Sequence, residues 1–176
     1  MVSGLELYLG LVGAVAVERL VELVLARQNA AWSLARGGVE YGRGHYPWMV
    51  ALHAGLLAGC VTEPFLITRT FDAVRFGVCA AVVAVAQALR WWTIVTLGRR
   101  WNTRVIVIPG LPAVTGGPFR FSSHPNYLAV AVEVAALPLA GGAWVTALLG
   151  TALNAVLMAV RIPCEEAALG IRRSAA

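Results

Sequence analysis

Residues 120–127 read Arg-Phe-Ser-Ser-His-Pro-Asn-Tyr and open an apolar segment, and Glu165 and Glu166 close the last apolar run of the chain. A proline in the first turn of a helix leaves backbone N–H groups and the positive end of the helix dipole facing outward, an arrangement that suits a carboxylate. Two adjacent carboxylates downstream suit the two hydroxyls of a ribose. S-adenosylmethionine carries both groups, so the pattern reads as a methyl-donor site. His124, Pro125, Asn126 and Tyr127 then take the methionine end, Glu165 and Glu166 the ribose, and Arg120 is the nearest upstream cation. Each residue also has a plainer reading: His124 as a helix cap, Tyr127 as an interfacial anchor, and Glu165 as the i,i+4 partner of Arg161.

Methyl transfer from a sulfonium is an in-line displacement, for which a protein mainly aligns the nucleophile and excludes water. A carboxylate acceptor needs only a positioned cation, for which Arg104 is the candidate. A phenol or enol must first lose its proton, and His45 is the candidate base. Glu133 lies seven residues after Asn126, on the same helix face and well inside an apolar run. A carboxylate at that depth is costly and normally paired. It is either a wall of the active site or a tie between helices, with Asn154, Gln87, Arg90 and Arg161 as candidate partners. Glu18, Arg19 and Glu22 form a second charged knot, which His45, Tyr46 and His53 can approach.

These pieces have a familiar order. RVIVIPG at 104–110, GPFR at 117–120, HPNYLAVAVE at 124–133 and RIPCEEAAL at 161–169 resemble the signature of the isoprenylcysteine carboxyl methyltransferase family: a basic residue, HPNY or HPxY, a helical hairpin and a closing EE with Leu. The stretch 18–53, with ERLVEL, RQN, RGGVEYG and HYPWMVALH, is similar to the N-terminal half of small bacterial members. The resemblance implies an S-adenosylmethionine-dependent O-methyltransferase acting on a lipophilic or lipidated acceptor, a prenylated cysteine carboxylate or a lipid-like polyketide such as an alkylpyrone. It also places Glu165 and Glu166 at the cofactor. Where the family has Arg or Lys before His-Pro, this chain has Ser123.

The elements that must hold these residues are membrane helices. Of 176 residues, 59% are hydrophobic and 13% charged, and the mean hydropathy is +0.74, beyond a soluble single domain. A span needs about 20 apolar residues. Residues 4–26, 46–67 and 71–97 qualify, and 126–140 and 143–160 form a tight hairpin about Gly141 and Gly142. The expectation is an all-α, polytopic membrane bundle of about five helices, one domain throughout: spans in 1–97, an active-site loop over 98–125, and the hairpin with its EE helix in 126–176. Arg104 to Ile108 in that loop can be extended, ended by Pro109 and Gly110.

All fourteen basic residues are Arg. Arg27, Arg36 and Arg43, then Arg99, Arg100, Arg104 and Arg120, then Arg161, Arg172 and Arg173 flank one side, against Arg69 and Arg75 on the other. The positive-inside rule puts the N-terminus outside and the C-terminus and cofactor site in the cytoplasm, in what the Arg-only, Ala-rich composition suggests is a bacterial cell membrane. No soluble domain remains to carry a nucleic-acid-binding face. Cys60, Cys79 and Cys164 have no metal-binding spacing and read as packing residues. The rivals are a phospholipid N-methyltransferase or an NADPH-dependent sterol-type reductase on the same helical core, and a small membrane carrier. Polar residues gathered at one face, and not along a midplane path, speak against the carrier.

Overall fold

The computed structural model describes residues 3–67 and 70–170, so Arg69, Arg172 and Arg173 lie outside the described residues. Among the described residues are five α-helices: α1 (Gly4–Leu34), α2 (Tyr46–Leu66), α3 (Ala73–Leu97), α4 (Pro125–Ala140) and α5 (Trp144–Ala168). Each start has a local cause. Ser3 and Glu6 form a capping box at α1, and the Asp72 carboxylate accepts from the Arg75 N–H at α3. Pro125 opens α4. The first N–H groups of α5 are capped from another helix: Glu63 of α2 accepts from the backbone of Val145 at 3.1 Å and Thr146 at 2.8 Å.

By length and composition α2, α3 and α5 can each cross a membrane. The other two helices depart from a simple span for opposite reasons. α1 is long, 31 residues, but carries charge at its middle; α4 is apolar but has only 16 residues, ten of them buried. α4 is the central helix, wrapped by α3, α5 and α2. Around it close Tyr8, Val12, Leu56, Cys60, Val83 and Leu137. The outward faces are apolar as well, with Leu20, Val85, Val95, Leu148 and Val156 exposed, as expected of helices solvated by lipid.

The α4–α5 hairpin turns where the sequence suggests. Gly142 adopts φ +73°, and a Cβ on Gly141 would fall 2.2 Å from the Tyr8 ring, so the turn is held against α1 by a contact only glycine permits. Pro163, a residue that bends or restarts a helix, lies inside α5, which runs through it to Ala168.

The charge on α1 is neutralised inside the bundle. Arg19 donates to Glu22 at 2.7 Å, to Gln87 at 2.8 Å and to Glu133 at 3.1 Å. Arg90 donates to both oxygens of Glu22, at 2.5 and 2.7 Å, and Glu18 accepts from Gln87 and the Trp91 indole. This network joins α1, α3 and α4, and in it Glu133 pairs with Arg19, which was not among the residues singled out for it. The α1 knot neutralises itself only in part, because the rest of its partners come from α3 and α4.

At the opposite end from the hairpin turn, two short strands pair antiparallel. β1 (Val39–Tyr41) meets β2 (Val105–Val107) with Glu40 opposite Ile106. β2 fulfils the expectation of extended chain after Arg104; β1, three residues long, has no sequence signal of its own. α1 runs eight residues beyond its expected end and holds this region, Asn29 Nδ2 donating to the Trp101 carbonyl at 2.8 Å.

Candidate active site

The first turn of α4 and the last turns of α5 meet beneath the strands. His124 sits at the N-cap position of α4 but makes no capping hydrogen bond with its side chain. Its Nε2 lies 3.1 Å from Glu166 Oε1, and its ring stacks on that of Tyr127, with centroids 5.4 Å apart. The Tyr127 hydroxyl accepts from Arg161 Nε at 2.8 Å and donates to Glu165. The expected direct pairing of Arg161 with Glu165 is therefore relayed through a phenol. Arg161 is buried, 4% exposed, and spends its other N–H groups on the Thr103 carbonyl at 2.8 Å and on the Met49 thioether at 2.7 Å.

Above this cluster lies a cavity of 390 Å³, within the range of small-molecule sites. Its floor is Pro125, Asn126, Tyr127, Arg161 and Glu165, and its sides are Trp101, Asn102, β2 and the loop through Leu111 and Thr115. Three buried polar atoms in this wall have no hydrogen-bond partner among the described residues: Trp101 Nε1, Asn102 Nδ2 and Asn126 Oδ1. Leaving such groups unpaired costs roughly 1–3 kcal/mol each. The loop that the sequence marks as functional is thus a wall of the site, as its length suggests.

The residues singled out from sequence separate into two groups. Arg104, His124, Pro125, Asn126, Tyr127 and Glu165 line the cavity. Arg104 also lies 3.6 Å from Glu40 and over the Tyr46 ring, tying the rim to β1 and α2. Glu166, His45, Arg120 and Glu133 are not in the wall. Glu166 supports His124 from behind. Arg120 is exposed at the end of the turn Gly117–Arg120. His45 folds over Gly42 near Cys164, where a Cβ on Gly42 would meet its ring at 2.1 Å. Glu133 is held by Arg19. Sequence reasoning gave no role to Trp101, Asn102 and Thr103, and treated Arg161 only as a neighbour of Glu165 and a possible partner of Glu133. Arg161 opens the RIPCEE run and was findable; the Trp101–Asn102 pair carries no signal beyond an indole and an amide after two arginines.

A second space lies beside the first. Between α1 and α2 runs a cleft of 340 Å³ with an almost wholly apolar wall that includes Leu20, Leu23, Val50 and Leu57, and with Tyr46, Met49 and Thr103 also lining it.

Comparison with known proteins supplies the context for this geometry. The profile of the isoprenylcysteine carboxyl methyltransferase family matches residues 78–171. The chain is 35% identical to the uncharacterized protein YpbQ of Bacillus subtilis (strain 168) over 159 residues, covering 90% of this chain and 94% of the relative. It is 24% identical over 152 residues to an uncharacterized protein of Haemophilus influenzae, covering 86% and 88%. No solved structure matches it.

Proposed function

Because the chain belongs to the isoprenylcysteine carboxyl methyltransferase family, and so to the membrane methyltransferases, we propose that it uses S-adenosylmethionine to methylate an oxygen of a lipophilic acceptor at the cytoplasmic face of the membrane. The observation that carries this proposal is the meeting of the first turn of α4, Tyr127 and Glu165 on one cavity of 390 Å³. S-adenosylmethionine has a carboxylate and an ammonium at one end, a ribose in the middle and a purine at the other, so its carboxylate suits the start of α4 and its ribose hydroxyls suit Glu165.

In this assignment the first turn of α4 takes the cofactor carboxylate through its N–H groups and dipole, with Asn126 beside it. Glu165 accepts from the ribose, held in place by Tyr127, and Glu166 orients His124. When bound, the cofactor supplies an electrophilic methyl: a lone pair of the acceptor oxygen forms the new C–O bond while the C–S bond breaks and its electrons neutralise the sulfonium. The protein's own task is alignment and exclusion of water. Arg161 and, at the rim, Arg104 are cations that can hold an acceptor already ionised, a carboxylate or an acidic enol. His45, outside the wall, enters only if the acceptor must first lose a proton.

The test is methyl transfer from methyl-tritiated S-adenosylmethionine by the full chain in lipid nanodiscs. A 4-hydroxy-2-pyrone bearing a long 6-alkyl chain and a farnesylated N-acetylcysteine are the two acceptors. Incorporation into at least one, reduced about tenfold or more in Glu165→Gln through loss of a charge-assisted hydrogen bond, is expected. No incorporation into either would count against O-methylation of this acceptor class.

A further inference from the structure

We propose that the turn Gly117–Arg120 and the end of α3 form a docking site for an anionic phospholipid, with Arg99 and Arg120 on the headgroup phosphate and the Trp92 and Phe121 rings on the glycerol end of the acyl chains. The site is independent of what the cofactor cavity holds. It also gives a place to Arg120, which lies outside the cavity wall.

The first observation is an exposed aromatic pair. Phe121 is 81% and Trp92 47% exposed, and their rings tilt against each other with centroids 6.3 Å apart. Trp92 follows Val78, Val82 and Val85 along α3, all exposed and at helical spacing. Such an apolar stripe, on a helix long enough to span, is a face that lipid chains solvate. An indole at its end marks the level where hydrocarbon gives way to headgroups. Phe121 is held at that level, although it belongs to a loop and not to a span.

The second observation is uncompensated charge. Arg99, in the turn Gly98–Arg100, and Arg120 are exposed, and neither has a side-chain hydrogen bond or ion pair among the described residues. Arg100 and Arg104 are engaged by the chain itself, on the Pro112 carbonyl at 2.8 Å and on Glu40 at 3.6 Å. The sequence has no Asp or Glu between Asp72 and Glu133, and Glu133 is buried against Arg19, so this stretch supplies no carboxylate to neutralise them. Arginine beside an aromatic ring at a membrane surface is the pattern of segments that hold anionic lipid. A free phosphate would leave the rings unused, so the occupant that fits both charge and rings is a lipid.

The third observation is what lies behind the site. Phe119 of the turn and Thr93 and Leu97 of α3 line the cofactor cavity, so one turn of chain separates the cavity from the lipid-facing rings. A Cβ on Gly117 would fall 2.5 Å from Thr96 Oγ1, a close approach that seats the turn on α3. The Ser122 hydroxyl accepts from the His124 N–H at 3.2 Å. A phospholipid on the outer side therefore braces the turn that leads into α4.

The experiment is native mass spectrometry of the full chain released from detergent micelles doped equally with phosphatidylglycerol and phosphatidylcholine of the same acyl chains. Phosphatidylglycerol should be retained in preference. Arg99→Gln and Arg120→Gln should each weaken its retention about fivefold, the worth of one cation at an anionic surface, and leave that of phosphatidylcholine unchanged. Phe121→Ser should weaken both. Equal retention of the two lipids, or a preference intact in the double arginine variant, would overturn the site, and displacement of the lipid by inorganic phosphate would overturn its assignment to a lipid. Hydrogen exchange of residues 117–123 in nanodiscs should be slower with phosphatidylglycerol than with phosphatidylcholine alone, in the wild type but not in the double variant. The same rate in both lipids would overturn the bracing.

Discussion

His124 and Glu166 act as one unit. Their 3.1 Å contact fixes the imidazole over Tyr127, so removing either partner abolishes the same contact. His124→Ala and Glu166→Ala should each weaken S-adenosylmethionine binding about tenfold, as loss of a hydrogen bond to a charged group costs roughly 1.5–3 kcal/mol. The double variant should be no worse than the weaker single one, because residues in contact do not add. Titration calorimetry of the four proteins checks this; additive losses would mean that the two residues touch the cofactor independently. At this scale the sequence was informative where a motif is contiguous. HPNY and the first Glu of the EE pair meet in one cavity wall, because helix starts and helix periodicity are local. Helix spacing put Glu133 on the face of Asn126, and His45 was chosen by chemical type, but neither says which neighbour claims a side chain: the His45 ring packs against Gly42, and Arg19 pairs with the Glu133 carboxylate.

The helices themselves were legible from hydropathy, and their starts follow from Ser3, Asp72 and Pro125. What was not legible is which helix is central. α4, the shortest, is the most enclosed, and that follows from packing across the whole bundle and not from its own composition. The same holds for the buried ion network, whose members lie far apart in sequence on α1, α3 and α4. Removing Arg19 leaves Glu133 without its ion-pair partner and Glu22 with Arg90 alone. Arg19→Leu should therefore cost roughly 3–5 kcal/mol, the price of breaking a buried ion pair, and lower the thermal unfolding midpoint in detergent by several degrees or more. Glu133→Gln retains a hydrogen-bonding oxygen for Arg19 and should be milder. An unchanged midpoint in Arg19→Leu would show that the network contributes nothing to holding the three helices together. β1 was missed because an alternation of only three residues is too short to carry a strand signal; it exists because β2 lies beside it.

For the whole molecule, the strands, the turn Gly117–Arg120, the start of α4 and the end of α5 gather at one end, with Arg36, Arg43, Arg99, Arg100 and Arg104 in the segments around them. If positive charge is retained inside, that end is cytoplasmic. In a variant lacking the native cysteines, Gly116→Cys should resist an impermeant thiol reagent added to intact cells and Thr70→Cys should react; the reverse pattern would invert the molecule. The central claim, that the cavity holds S-adenosylmethionine, is tested most directly by titrating the detergent-solubilised full chain with S-adenosylmethionine and, separately, with NADPH. The account predicts saturable heat at one site for S-adenosylmethionine, none for NADPH, and affinity about tenfold weaker in Glu165→Gln, whose carboxylate charge the ribose no longer meets. Binding of NADPH in its place, or S-adenosylmethionine affinity unaffected by Glu165→Gln, would contradict it.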